Sequence, residues 1–446
     1  MKVVWICHFS NPEIREKLDL SNNFVERLIR KFFIGSSNIY SDFAQWISNA
    51  IKAFEEFHHV ELHVISPHYG IVKRIHSFQL KGVNYYFFKP DDDFIIKKIS
   101  KKILNSVKSN YKQNRSVINE LIKLINPDII HMYGAENPYY SISALDIDTV
   151  KYPFFVSLQT LMSEDDFMNN YKIGKKQYDF RTTIERRILS NISYIGSTVQ
   201  NYRVFIWNYI NPFAVFFNTY LALEEEFDKK EYSKKYDFVY FAANISKAAD
   251  LAIEAFAIAQ KKYPELTLNI IGHTPQPFTD NLKSRIKELE IENNVVFSGR
   301  LATHKDVLNQ IQYSKYALLP LKIDFISGTI REAMFSGIPV VSTITSGTPL
   351  LNEKRQSILL STTGDNFALA ENMIKLIENS NLALFLSENG LITVRELYNN
   401  RKEMEELVEV YRAIINHQKY GTEIPKELGS SNPNKIYAKQ NSKNKS

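Results

Sequence analysis

The chain has 446 residues, 44% of them hydrophobic and 23% charged, with a formal net charge of +6. That length exceeds one core and predicts two domains, and the mild, dispersed charge argues against a nucleic-acid partner. A single cysteine, Cys7, excludes a disulfide framework and a thiolate zinc site, and no window approaches ~18 uninterrupted apolar residues, so no membrane span is expected.

The amino-terminal MKVVWICHF is too short an apolar run for an export signal and reads as a first strand over 3–7. Further strands are predicted at 60–66, 83–89, 128–134, 154–159, 193–198 and 213–218, with helical spacing at 41–57 and 95–125. A charged break, EEEFDKKEYSKKYD at 224–237, precedes a second series. Its strands are expected at 238–244, 267–273, 294–300, 316–321, 339–343 and 357–362, and its helices at 247–262, 279–290, 303–313, 329–336 and 365–378. Near-continuous apolar strands alternating with helices predict α/β folding with parallel sheets covered on both faces. The expected organisation is two Rossmann-like doubly wound domains, 1–222 and 223–393, facing across a cleft. A helix over 394–417 is expected to return to the first domain, and the Lys-, Asn- and Ser-rich 418–446 reads as a disordered tail.

The stretch DFISGTIREAMFSGIPVVS at 324–342 concentrates the chemistry. Asp324 and Glu332 stand eight residues apart around a Ser-Gly-Thr turn that enters a helix. Amides of Ser327, Gly328 and Thr329 at a helix N-terminus suit an anion, and glycine lets a phosphate come close. Glu332, one turn in, suits a pair of vicinal hydroxyls such as those of a ribose, and Asp324 suits hydroxyls of a second sugar. A capped helix with exposed acids predicts the same spacing.

This segment resembles the E-x7-E signature of the retaining GT-B glycosyltransferases of family 4, written here D-x7-E. EAMFSGIPVVST, DIIHMYG, IERRILSNISYIGST, NVVFSGR and FAANISKAADLAIEAF are similar to further family wording in the same order. The resemblance covers most of 1–415 and is stronger in the second half. It implies the GT-B fold, a nucleotide-sugar donor held mainly by the second domain, catalysis without a metal or other cofactor, and a saccharide or lipid-linked acceptor. It also implies work in the cytoplasm, near the inner membrane face. By the same resemblance, Lys247 and the turn amides stabilise the leaving diphosphate, and Asp324 and Gln159 orient the donor sugar. Asn244, Gly299 and Arg300 fall at strand ends of the donor domain, and Gly35 and Ser36 in the first-domain loop that faces the phosphates in this family.

Three departures stand out. Ala243 or Asn244 occupies the place of the family's diphosphate-gripping Arg, Asp324 is one methylene shorter than Glu, and Gln159 replaces the family's donor-facing His. Gln still hydrogen-bonds a hydroxyl but carries no charge. A GT-B-fold nucleotide-sugar epimerase and a non-catalytic sugar-binding protein are the alternative readings.

Other signals are weaker. The D-x-D triplets at 91–93 and 146–148 read as charged turns, His58 and His59 as a solvated helix end, and neither a dinucleotide nor a P-loop fingerprint occurs. The run 94–115, with Ile95, Ile99, Ile103 and Val107 among lysines, suits either a sheet-packed helix or peripheral membrane contact.

Overall fold

The computed structural model describes residues 1–20, 42–90, 110–164, 174–219, 222, 232–244, 248–273, 276–322, 327–345 and 347–433. The chain forms two compact units, Met1–Ala222 with Asn400–Ser446, and Leu223–Asn399.

The first unit is built on a nine-stranded sheet. Its strands are β1 (Lys2–Ile6), β2 (Glu61–Pro67), β3 (Ile75–Leu80), β4 (Val83–Phe88), β5 (Ile129–Tyr133), β6 (Phe154–Ser157), β7 (Tyr194–Gly196) and β8 (Val215–Phe217), joined by a short C-terminal strand. Both faces of β1 are apolar. Val3, Trp5 and Cys7 join one core with the helices Gln45–Phe54 and Asn400–Tyr420, while Val4 and Ile6 join another with Lys112–Ile125 and Lys175–Asn191. That double burial is what a parallel strand between two helical layers demands. The order runs β8-β7-β6-β5-β1-β2-β4-β3, so the direction of winding switches between β1 and β5.

Sequence patterning missed β3. IHSFQL alternates but is only half-buried, because it is the outermost, antiparallel partner of β4. The turn between them, Lys81-Gly82, has φ of 48° and 82°, the left-handed pair of a tight hairpin.

The second unit carries β9 (Tyr236–Asn244), β10 (Leu268–His273), β11 (Val295–Gly299), β12 (Ser314–Leu318), β13 (Val340–Thr343) and β14 (Leu359–Ser361). They are all parallel, in the order β11-β10-β9-β12-β13-β14. Phe238, Val239, Ile270, Leu318 and Val341 form its centre with the small-residue face Ala249, Ala252, Ala255 and Ala259 of the helix Ala249–Lys262. The switch point here lies between β9 and β12, beyond whose carboxyl ends such sheets bind ligands.

Two expectations at the C-terminus are corrected. The helix expected over 394–417 is two helices, Ser380–Leu397 and Asn400–Tyr420, broken where Tyr398 leaves helical geometry at φ −132°, ψ 89°. The second of them belongs to the first unit. Residues 418–433 of the expected tail are structured, and 434–446 lie outside the described residues. The helix runs to Tyr420, and β15 (Gly429–Ser430) adds antiparallel to β8. Arg203 holds this closure, reaching Ser430 Oγ at 3.2 Å and Asn218 Oδ1 at 2.6 Å. Backbone pairing at an open sheet edge needs little apolar content, which is why composition missed it.

Candidate functional site

In the second unit, Ser327 stands at the N-cap position of the helix Gly328–Phe335 in extended geometry, its Oγ 2.9 Å from Thr329 Oγ1 and not on a backbone amide. Glu332 sits one turn in. A Cβ placed on Gly328 would lie 4.0 Å from Glu332 Oε1, so the carboxylate folds back toward the helix N-terminus. Glu332 Oε1 is also 3.2 Å from His304 Nε2, both side chains being mostly buried. His304 opens the helix His304–Ile311, whose Thr303–Asp306 capping box fixes its start. The neighbouring Arg331 is buried and stacks on Tyr398 at 4.8 Å, and its Nη2 lies 3.9 Å from the same Cβ position on Gly328, so the guanidinium also reaches the helix N-terminus.

The segment that enters this turn is fixed from two sides. The Thr343 hydroxyl accepts from the Leu321 amide at 2.7 Å and donates to the Leu321 carbonyl at 2.6 Å. Lys322 Nζ donates to Asp250 Oδ2 at 2.6 Å, tying the exit of β12 to the helix that follows β9. The two arms of the switch point are thus linked.

The predicted residues fare unequally. Ser327, Gly328, Thr329 and Glu332 are brought together on one helical turn. Gly299 ends β11 at φ 65°, and Arg300 is exposed just beyond it, on the loop that leads to His304. Asn244 ends β9 opposite His273, and only its backbone is described. Asp324, Lys247, Gly35, Ser36 and the run 94–109 lie outside the described residues. Gln159 is half-buried, two residues beyond β6.

Sequence reasoning missed His304 and a polar group in the first unit. Glu185, buried on the helix Lys175–Asn191, accepts the amides of Met162 and Ser163 at 2.9 and 2.7 Å and so fastens the loop that carries Gln159. Burial nevertheless holds its carboxyl above the usual range. At the β1–β5 switch point, His8 Nδ1 lies 2.5 Å from Tyr139 Oη. Burial, with His68 nearby, pushes His8 down to about 3, so it is neutral at ordinary pH. Glu136, beyond β5, is buried, and burial with Glu185 nearby pushes its carboxyl up to about 7 against the pull of Arg181. Gly134 has φ 85°, a left-handed conformation that favours glycine, and the Glu136 carboxylate lies over it, with Oε2 2.6 Å from where a Cβ would sit. Arg181 Nε donates to the Glu136 carbonyl at 2.7 Å. The sequence signal was GAEN directly after an apolar strand.

Residues 223–392 match the family of glycosyl transferases group 1. The chain is 21% identical over 263 residues to the N-acetyl-alpha-D-glucosaminyl L-malate synthase of Bacillus anthracis, covering 59% of this chain and 67% of that one. It is 27% identical over 159 residues to the mannosylfructose-phosphate synthase of Agrobacterium fabrum, spanning 35% of that protein and 34% of this one. Among solved structures, the sucrose-phosphate synthase of Thermosynechococcus elongatus superposes with a TM-score of 0.64 at 12% identity, over 92% of this chain and 98% of that one. Anabaena Alr3699/HepE, solved with UDP and glucose, superposes with a TM-score of 0.60 at 14% identity, over 93% and 100%.

Proposed function

We infer that this chain, a GT-B-fold glycosyltransferase whose residues 223–392 belong to glycosyl transferases group 1, moves a sugar from a nucleoside-diphosphate-sugar to a hydroxyl acceptor with retention. The observation that carries the reading is the Glu332 carboxylate folded back over the Ser327–Thr329 turn, at the carboxyl edge of a sheet wound in dinucleotide-fold order. A diphosphate at that helix N-terminus is held by backbone amides and Lys247, and the ribose by Glu332. HepE's complex with UDP and glucose supports a donor of this class.

In the proposed reaction, Asp324 and Gln159 orient the donor sugar and the departing diphosphate oxygen takes the acceptor's proton on the same face. Positioning and fixed dipoles supply the rate, with no protein nucleophile and no metal. The acceptor is a saccharide or a lipid-linked saccharide, and we assign the His8–Tyr139–Glu136 group to its hydroxyls. The setting is the cytoplasm. A thermal-shift panel of UDP-, GDP-, ADP- and CDP-sugars, with and without EDTA, tests the reading. One nucleotide raising the melting temperature is expected. No response to any, or a response lost with EDTA, counts against the donor site or the metal-free route.

A further inference from the structure

Among the described residues, six large apolar side chains are at least 69% exposed: Leu124, Val150, Tyr209, Phe213, Phe367 and Tyr420. Scattered exposed apolar groups are ordinary. These are not scattered, because all but Phe367 belong to the amino-terminal edge of the first unit's sheet. Leu124 is in the last turn of the helix that feeds β5. Val150 is in the turn that feeds β6. Tyr209 ends the helix Gln200–Tyr209, and Phe213 lies in the turn from it into β8. Tyr420 ends the last helix, where Gln418 donates to the carbonyls of Thr149 and Val150 at 2.7 and 3.0 Å. Since β8, β7, β6 and β5 are neighbours, these turns follow one another at roughly 5 Å per strand.

Cations alternate with the apolar groups: Lys123 beside Leu124, Lys151 beside Val150, Lys419 beside Tyr420, and exposed Arg187 on the helix that feeds β7. The acids of the same turns are engaged. Asp148 accepts the amides of Val150 and Lys151 at 3.1 Å, and Asp128 accepts the Lys2 amide at 2.8 Å and lies 3.9 Å from Lys419 Nζ, a loose exposed pair that leaves Lys419 able to turn to a phosphate. The chain also departs here. Asn432 donates to the Pro212 carbonyl at 3.4 Å, beside Phe213, and the sequence after Pro433, NKIYAKQNSKNKS, has four lysines and no acid.

We propose that this edge docks on an anionic lipid surface. Tyrosine, aliphatic groups and lysine in alternation match the headgroup layer, where rings and stems bury and ammonium groups meet phosphates. Protein interfaces are depleted in lysine, which disfavours a second copy of this chain or another protein as the occupant. No helix among the described residues is long and apolar enough to cross a membrane, so the contact is peripheral. The carboxyl edge with His8, Tyr139 and Gln159 then faces away from the bilayer, which, of the two proposed acceptors, favours the free saccharide.

The experiment is flotation of the full chain with phosphatidylcholine vesicles, with and without 30% phosphatidylglycerol, at low and high salt. Binding to the anionic vesicles that falls at least tenfold with high salt, or without the anionic lipid, is expected. Tyr209→Ser with Phe213→Ser, and separately Lys123→Glu with Lys151→Glu and Lys419→Glu, should each lower it at least tenfold. Lipid-free donor turnover and melting temperature should stay near wild type. Truncation after Pro433 should lower binding by a smaller factor. Unchanged binding in both surface variants overturns the proposal, as does loss on truncation alone. Light scattering that shows a wild-type dimer, monomeric in the Tyr209 and Phe213 variant and without vesicle binding, also overturns it and assigns the edge to a second copy.

Discussion

Oε1 of Glu332 lies 3.2 Å from Nε2 of His304, which joins the turn after β12 to the loop after β11. Both side chains are mostly buried, so ligand affinity has to be read beside melting temperature when either is replaced. Glu332→Gln is expected to weaken nucleoside diphosphate and nucleotide-sugar alike by about 1–3 kcal/mol, through loss of a charged acceptor. His304→Asn should cost less, because the imidazole lies beside the carboxylate without hydrogen-bond geometry at Nε2. Calorimetric titration of both variants checks this. A role confined to helix capping would instead lower stability by about 1 kcal/mol and spare affinity.

Asp324 and Lys247 should separate by kinetics. Lys247→Ala should weaken free nucleoside diphosphate by roughly 1.5–3 kcal/mol, the worth of a charge-assisted hydrogen bond. Asp324→Asn should leave that affinity nearly intact and lower kcat, because a contact that tightens as the sugar becomes cationic acts on the transition state. Equal loss of nucleotide affinity in both variants would break this division of labour.

Most of the architecture was legible because its strands are buried on both faces. Runs such as VVWIC and FVYFAA have no other stable place than between two helical layers. β3 and β15 were not legible, since edge strands are held by backbone pairing and turn geometry. At the site, the Ser327–Glu332 turn could be read because its members are local in sequence. His304 could not, being 28 residues from Glu332 and brought to it only by β-sheet order. Glu136 and Glu185 were equally hidden, since a carboxylate's burial is a tertiary property.

Glu136 makes stability depend on pH with a definite sign. Its folded-state value of about 7 is raised from 4.5, mainly by burial. Between these values the folded chain holds a proton that the unfolded chain has lost, so stability falls as pH rises through this window. Below it there is no penalty. Above pH 7 the penalty is complete, on the order of 3 kcal/mol. Glu136→Gln should therefore gain on wild type from pH 5 to pH 8 in urea unfolding. A stability difference that does not change with pH would show that Glu136 is ionised in the fold throughout.

The last prediction concerns the buried chain of donors that joins the C-terminal helix to the first sheet. Trp5 Nε1 donates to Tyr411 Oη at 2.9 Å, His131 Nδ1 lies 2.5 Å from the same oxygen, and His131 Nε2 lies 2.7 Å from Ser157 Oγ. Indole is a donor only, so the tyrosine oxygen accepts from Trp5 and has one proton left for His131 Nδ1. The histidine is held neutral by burial, and its Nε2–H then donates to Ser157. Tyr411→Phe keeps the ring but leaves Trp5 Nε1 and His131 Nδ1 without their partner at a buried site. Each orphaned group costs about 1–3 kcal/mol, so a loss of roughly 2–5 kcal/mol is expected in chemical unfolding. Replacing His131 by Leu first removes one orphan, and Tyr411→Phe should then cost measurably less in that background. Equal costs in the two backgrounds would show that Tyr411 and His131 are not coupled, and that the last helix is held to the sheet by its packing and by the contacts of His417 and Gln418.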